Sequence, residues 1–101
     1  MKSSTYIISK KAVADIEEIW FYTLQKWSLE QADRYYNLVF DEIDYICKNP
    51  NAGKSMSHVR KGYRAIKVKS HLIFYKVPSD NEIEIVRILH EKMDIENRLN
   101  D

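Results

Sequence analysis

Apolar positions recur at three- and four-residue steps in the first half of the chain and at two-residue steps in the second. Before either pattern, Thr5-Tyr6-Ile7-Ile8 is a short run of β-formers and predicts a first strand. Ser9 follows, a residue whose hydroxyl can accept from an orphan backbone N–H, and it predicts a helix start. Val13, Ile16, Ile19/Trp20, Thr23/Leu24 and Trp27 then place an apolar stripe on one side of that helix. Asp15, Glu17 and Glu18 fall mostly in its first half, where the helix dipole favours negative charge, and read as a solvated face. Ser28-Leu29-Glu30-Gln31 has the form of a capping box and predicts a second helix. Its stripe is Ala32, Tyr35/Tyr36, Val39, Ile43 and Ile46/Cys47, and Lys48-Asn49-Pro50 stops it. Two stripes joined by one tight connection predict an antiparallel helical hairpin.

Asn49 to Ser57, punctuated by Pro50 and Gly53, reads as a loop. Three β runs follow. His58 to Lys69 alternates in part, with Ile66 and Val68 on one side and Lys67 and Lys69 on the other. A turn near Ser70 leads into Leu72–Val77, and Pro78-Ser79-Asp80-Asn81 is a second turn. Ile83 to Leu89 is the most apolar run, interrupted only by Glu84 and Arg87, and predicts an internal strand. The segment from Met93 to Asp101 leaves a short helix and fraying both open. The order β-α-α-β-β-β predicts an α+β domain: an N-terminal helical hairpin on one face of a curved, largely antiparallel sheet. The opposite face is then expected to be free for binding.

Length adds that residues 1–101 make one domain with one modest core. Cys47 is the only cysteine, which excludes an internal disulfide and cysteine-rich zinc motifs and reads as a small buried hydrophobe near a helix end. No apolar run is long enough for a membrane span, and the first residues lack the apolar stretch of a secretion signal. A cytoplasmic protein without membrane partners is the expectation. Charge changes the picture more. The net charge is only +1. Yet no Asp or Glu occurs from Tyr45 to Ser79, a stretch that carries Lys48, Lys54, Arg60, Lys61, Arg64, Lys67, Lys69 and Lys76. Such segregation points to an acidic partner for the middle of the chain.

Motifs for nucleotide loops, HExxH metal helices and GxSxG elbows are absent, and His58, His71 and His90 lack ligand spacing. No metal or cofactor is expected. Arg87 sits among Ile85, Val86, Ile88 and Leu89, where an unpaired charge is costly to bury. It must either pair with an internal acid or open onto a binding face. Strand parity puts Arg87 on the side of Ile83, Ile85 and Leu89 and His90 on the other; a bulge would change that. Tyr63, Tyr75, Arg60, Arg64, Lys67 and Lys69 form an aromatic and basic group suited to phosphates or to an acidic peptide.

Taken in order, these pieces resemble the RelE/ParE toxin superfamily over about ninety residues. The residues that carry the resemblance are Tyr6–Ile8, Ala12–Tyr22, Gln31–Tyr36, Asn49-Pro50 with Gly53-Lys54, Arg60–Arg64, His71–Val77 and Ile85–Asp94. The closing Arg87-Ile88-Leu89-His90 with Met93-Asp94 is most similar to the ParE branch. The resemblance implies the toxin of a type II toxin–antitoxin pair. It implies neutralisation by a cognate acidic antitoxin, ParD-like or other, that folds on the toxin, and assembly as a dimer or a hetero-oligomer with it. ParE toxins are associated with DNA gyrase, inhibited by contact and without catalysis. RelE toxins cleave mRNA on the ribosome. The alternative nuclease set is Lys67, Lys69, Arg87 and His90, and an inactive antitoxin-binding member is the third reading. The arginine that RelE-type nucleases carry on the Leu72–Val77 strand is replaced by Leu72, no aromatic residue follows Tyr75, and the near-neutral chain suits direct nucleic-acid binding poorly. Gyrase is therefore the expected target. The residues expected to contact target or antitoxin are Arg60, Arg64, Lys67, Lys69, Tyr75, Arg87 and His90, on a cationic sheet face.

Overall fold

A computed structural model describes residues 5–80 and 82–99. The chain opens with strand β1 (Thr5–Ile8), then helices α1 (Lys10–Lys26) and α2 (Leu29–Lys48). The two serines read as helix starts do that work: Ser9 Oγ accepts from Ala12 N at 3.0 Å and Ser28 Oγ from Gln31 N at 3.1 Å. Only Trp27 and Ser28 separate the helices, which pack as a hairpin. At the end of α2, the Asn49 N–H donates to the Tyr45 and Ile46 carbonyls, and Pro50 cannot extend the ladder.

Strands β2 (Lys54–Ser55), β3 (Arg64–Val68), β4 (His71–Ser79) and β5 (Glu82–His90) follow, then a short helix α3 (Ile95–Leu99). They form a five-stranded sheet in the order β1-β5-β4-β3-β2. β1 runs parallel to β5, and the other pairs are antiparallel. The α+β architecture and largely antiparallel sheet agree with the sequence reading. Three local expectations need correction. The strand expected over His58–Lys69 begins only at Arg64, because residues 58–63 turn back on themselves with Gly62 at φ 85°. Within the expected loop, Lys54 and Ser55 pair with Ala65 and Arg64. Pro78 and Ser79 belong to β4, so the turn begins at Asp80; Asn81 and residues 100–101 of the terminal segment lie outside the described residues.

The helices cover one face of the sheet. Ala12, Ile16, Val39, Ile43, Ile46 and Cys47 from the hairpin meet Val68, Ile73, Tyr75, Ile83, Ile85 and Ile88. The opposite face is not free. Ala65, Phe74 and Leu89 are covered there by Tyr63 and Leu99, with Val59 and Ile95 packed alongside. The 56–63 loop and α3 therefore act as a second, thinner layer. The reason is apolar content: Phe74 and Leu89 are large side chains that water would otherwise reach, and covering them is worth roughly 2 kcal/mol each.

A bulge fixes where β5 points its charges. Tyr75 lies opposite Ile85, but Phe74 lies opposite Arg87, so Val86 is an extra residue on β5. Ile83 and Ile85 consequently face the helices, whereas Arg87 and Leu89 face α3. The uninterrupted parity that grouped Arg87 with Ile83 and Ile85 is thus corrected. His90 returns to the helix side, directly opposite His71.

Candidate functional site

The basic residues singled out in the sequence do not share one face. Lys67 lies opposite Leu72 on the α3 side of the sheet and its ammonium is 3.2 Å from Glu91. Arg64 lies opposite Tyr75 on the helix side and donates to the Gly53 carbonyl at 2.7 Å. Lys69 occupies the β3–β4 turn with φ 55°. Arg60 is exposed on the 56–63 loop, its guanidinium 5.8 Å from the Tyr63 ring centroid. The expected single cationic sheet face is therefore replaced by a cationic end. Lys54 and Arg64 on the β2–β3 pair, Arg60 and Lys61 on the adjoining loop, and Lys76, whose ammonium is 5.9 Å from the Tyr63 ring centroid, cluster where the sheet ends at β2.

Tyr75 is removed from the contact set. It is 0% exposed, its hydroxyl donates to the Pro50 carbonyl at 2.9 Å and accepts from Gly53 N at 2.8 Å. It anchors the loop after α2 to the sheet. Gly53 is required beneath it, since a Cβ there would stand 2.5 Å from the Tyr75 hydroxyl oxygen.

Arg87 is an internal clamp. Its Nε and Nη2 donate to the two Asp15 carboxylate oxygens at 2.8 and 3.0 Å, and Nη1 donates to the Arg98 carbonyl at 3.0 Å. The same carboxylate accepts from Ile88 N at 2.9 Å. β1 pairs with β5 only through Ile85; beyond it, Ser9 N bonds the Ile85 carbonyl and Ser9 Oγ the Val86 carbonyl. Ser9 and Asp15 thus take over the β5 edge where β1 stops, and Arg87 reaches around that edge from the other face. The reading of Asp15 as a solvated helix residue is corrected: its side chain is 11% exposed and Arg87's is 12%. Burial of both charges is tolerable because the guanidinium and the carboxylate pair in bidentate geometry.

His90 belongs to a different place. A cleft of about 710 Å³ opens between the hairpin tip and the ends of β4 and β5, with Tyr22, Trp27, Tyr35, His71, His90 and Lys92 on its walls. The Tyr35 hydroxyl donates to the Val68 carbonyl at 2.8 Å and lies 2.7 Å from His71 Nδ1. The His71 and His90 rings meet edge to face with centroids 5.2 Å apart, and His90 Nδ1 accepts from Lys92 N at 3.1 Å. Burial, with the neighbouring His90, lowers the His71 pKa below its ordinary value, which favours the neutral ring. Burial pushes the Tyr35 hydroxyl up to about 12. Sequence reasoning noticed the absence of ligand spacing among the histidines but not this pair. Its one signal was that His71 and His90 close the facing ends of two adjacent strands.

The described residues thus form a helical hairpin on a mixed sheet with a short terminal helix and a cationic end, and among them His, Cys, Asp and Glu do not gather into a metal cluster. The sequence matches the family described as ParE toxin of type II toxin-antitoxin system, parDE, over residues 6–95, and the chain belongs to that family. It is 38% identical over 97 residues to Toxin ParE1 of Mycobacterium tuberculosis (strain H37Rv), covering 96% of this chain and 99% of that protein. It is 38% identical over 88 residues to Toxin ParE1 of Caulobacter vibrioides, covering 87% and 90%. Identity to Toxin ParE of Escherichia coli is 30% over 98 residues, covering 97% and 95%. A solved structure titled Chromosomal ParDE TA system from P. aeruginosa shares the fold with TM-score 0.75 at 19% identity, covering 87% of this chain and 96% of that one.

Proposed function

We propose that this ParE-family toxin inhibits DNA gyrase by protein contact and is neutralised by an acidic cognate antitoxin. The observation that carries the choice of mechanism is the state of the alternative nuclease set. Metal-free RNA cleavage needs a base, an acid and phosphate-binding cations converging on one scissile bond. Here Arg87 is held by Asp15 and Arg98, Lys67 stands beside Glu91, Lys69 lies in a turn, and His90 faces a cleft on the other side of the sheet. Arg87 is thus committed inside the fold, and Lys67 and His90 stand on opposite faces of the sheet.

The antitoxin docks, in this reading, on the cationic β2 end. Arg60, Arg64 and Lys54 stand there with Lys61 and Lys76, in a stretch free of carboxylates. Lys67 lies further along β3 and Lys69 in the turn before His71, and Arg87 is held on β5 by Asp15 and the Arg98 carbonyl, away from that end. Purified gyrase tests the proposal directly. Added toxin is expected to block supercoiling, and added antitoxin to restore it. Unimpaired supercoiling together with codon-linked mRNA cuts in expressing cells would transfer the toxin to the nuclease class. Binding of antitoxin without any growth arrest would make it an inactive member.

A further inference from the structure

The cleft beside the two histidines has a chemistry of its own. The Val68 carbonyl can only accept, so the single Tyr35 hydroxyl proton goes to it. The Tyr35 oxygen then accepts from His71, which fixes the His71 proton on Nδ1 and leaves a lone pair on Nε2. The Lys92 backbone N–H can only donate, so His90 Nδ1 carries a lone pair and its proton sits on Nε2. Two neighbouring rings are thereby locked in opposite tautomers. Neither Nε2 has a hydrogen-bond partner among the described residues. One offers an acceptor and the other a donor, and both residues line the cleft.

An amide is the group that presents a donor and an acceptor side by side without charge. Metal is disfavoured at this pair, because His90 Nε2 cannot act as a ligand while its Nδ1 accepts from Lys92. A polyanion gains little, since Glu18 on the wall offsets Lys92. Around the pair stand Tyr22 and Trp27, the latter 73% exposed, residue types that anchor protein interfaces. Resting on the toxin reading above, we propose that this cleft receives a segment of the toxin's protein target, its carboxamide or peptide group held between His71 Nε2 and His90 Nε2–H and its apolar flank against Trp27. An acidic antitoxin is drawn elsewhere. β2 is separated from His71 on β4 by β3 and from His90 on β5 by β3 and β4, and Lys76 stands toward the far end of β4 from His71.

The test separates the two surfaces. His71→Asn and His90→Asn keep a group at the Nδ1 position for Tyr35 or Lys92 and remove the nitrogen facing the cleft. Trp27→Ala removes an exposed ring and leaves the core untouched, so it reports even if a histidine variant unfolds. Each variant, expressed as the full chain, is expected to need about tenfold more protein for equal growth arrest, the effect of one good hydrogen bond or anchor. Affinity for the cognate antitoxin should stay within about twofold of wild type. His71→Gln, whose amide reaches the Nε2 position, should restore part of the toxicity. Asn and Trp27→Ala variants of full toxicity overturn the inference. So does parallel loss of antitoxin binding, which would assign the cleft to the antitoxin. Single-stranded RNA bound by wild type and lost in the Asn variants would replace the protein segment by nucleic acid. Wild-type expression without growth arrest would instead overturn the toxin reading on which the inference rests.

Discussion

Replacing Arg87 by alanine would strand the Asp15 carboxylate, 11% exposed, with only the Ile88 N–H as hydrogen-bond partner among the described residues. Breaking one side of such a pair costs about 3 kcal/mol. Urea denaturation of Arg87→Ala is expected to show that loss, and Arg87→Ala/Asp15→Ala should lose less than the sum of the single variants. The residue's dilemma was legible in sequence, since a charge amid Ile85, Val86, Ile88 and Leu89 had to be paired or functional. Its partner was not, because the extra residue at Val86 turns the side chain away from the parity an unbroken strand dictates. Gly53 carries the converse lesson. It reads as loop punctuation, yet its constraint is the Tyr75 ring packed on its Cα. Gly53→Ala is expected to destabilise by about 1–3 kcal/mol, measured by the same denaturation, through displacement of Tyr75 from Pro50 and Gly53. His71 gives a pH signature. Its folded pKa lies below the ordinary 6.5, so the unfolded chain binds the proton first as pH falls. Stability from this group is therefore complete above pH 6.5 and declines as pH drops through the window beneath it. Denaturation midpoints at pH 7.5 and 5.5 should differ more for wild type than for His71→Asn.

The helices were written plainly in the chain because each carries its own start, stripe and stop within one local segment. Ser9, Ser28 and Lys48-Asn49-Pro50 need no distant partner to act. The sheet was less legible, since pairing depends on residues far apart. Nothing in Lys54-Ser55 marks a strand until Arg64 and Ala65 lie beside it. Likewise, nothing in Tyr63 or Leu99 announces that they cover Phe74 and Leu89. α3 illustrates the energetic consequence. Five residues make too short a helix to persist alone, so its stability comes from docking. Leu99 is buried at 5% exposure against the second cluster, and Arg87 binds the Arg98 carbonyl. Leu99→Ala is expected to cost about 2–3 kcal/mol in thermal or urea unfolding, with α3 amides losing hydrogen-exchange protection before those of β4 and β5. An unchanged exchange pattern would mean that α3 is held by Arg87 alone.

At the scale of the molecule, a net charge of +1 conceals a polar distribution. The carboxylate-free stretch from Tyr45 to Ser79 includes the end of α2 and strands β2, β3 and β4, but acids from β5 and beyond reach into it at Lys76, through Glu84 at 3.6 Å, and at Lys67, through Glu91. Sequence alone revealed the imbalance, but not whether the cations would fill a face or an end. The 56–63 loop decided it by folding over the sheet and carrying Arg60 and Lys61 to the β2 side. Exposed charges at that end act over a Debye length of about 8 Å at physiological salt, so an acidic antitoxin should feel them chiefly as it approaches. Raising salt from about 0.05 to 0.5 M is then expected to slow association by tenfold or more while changing dissociation much less. Arg60→Glu/Lys61→Glu should reproduce that slowing at low salt and flatten the salt dependence, with stopped-flow association as the measurement. Salt-insensitive association would remove the cationic end from the antitoxin's path and leave only short-range contacts to explain neutralisation.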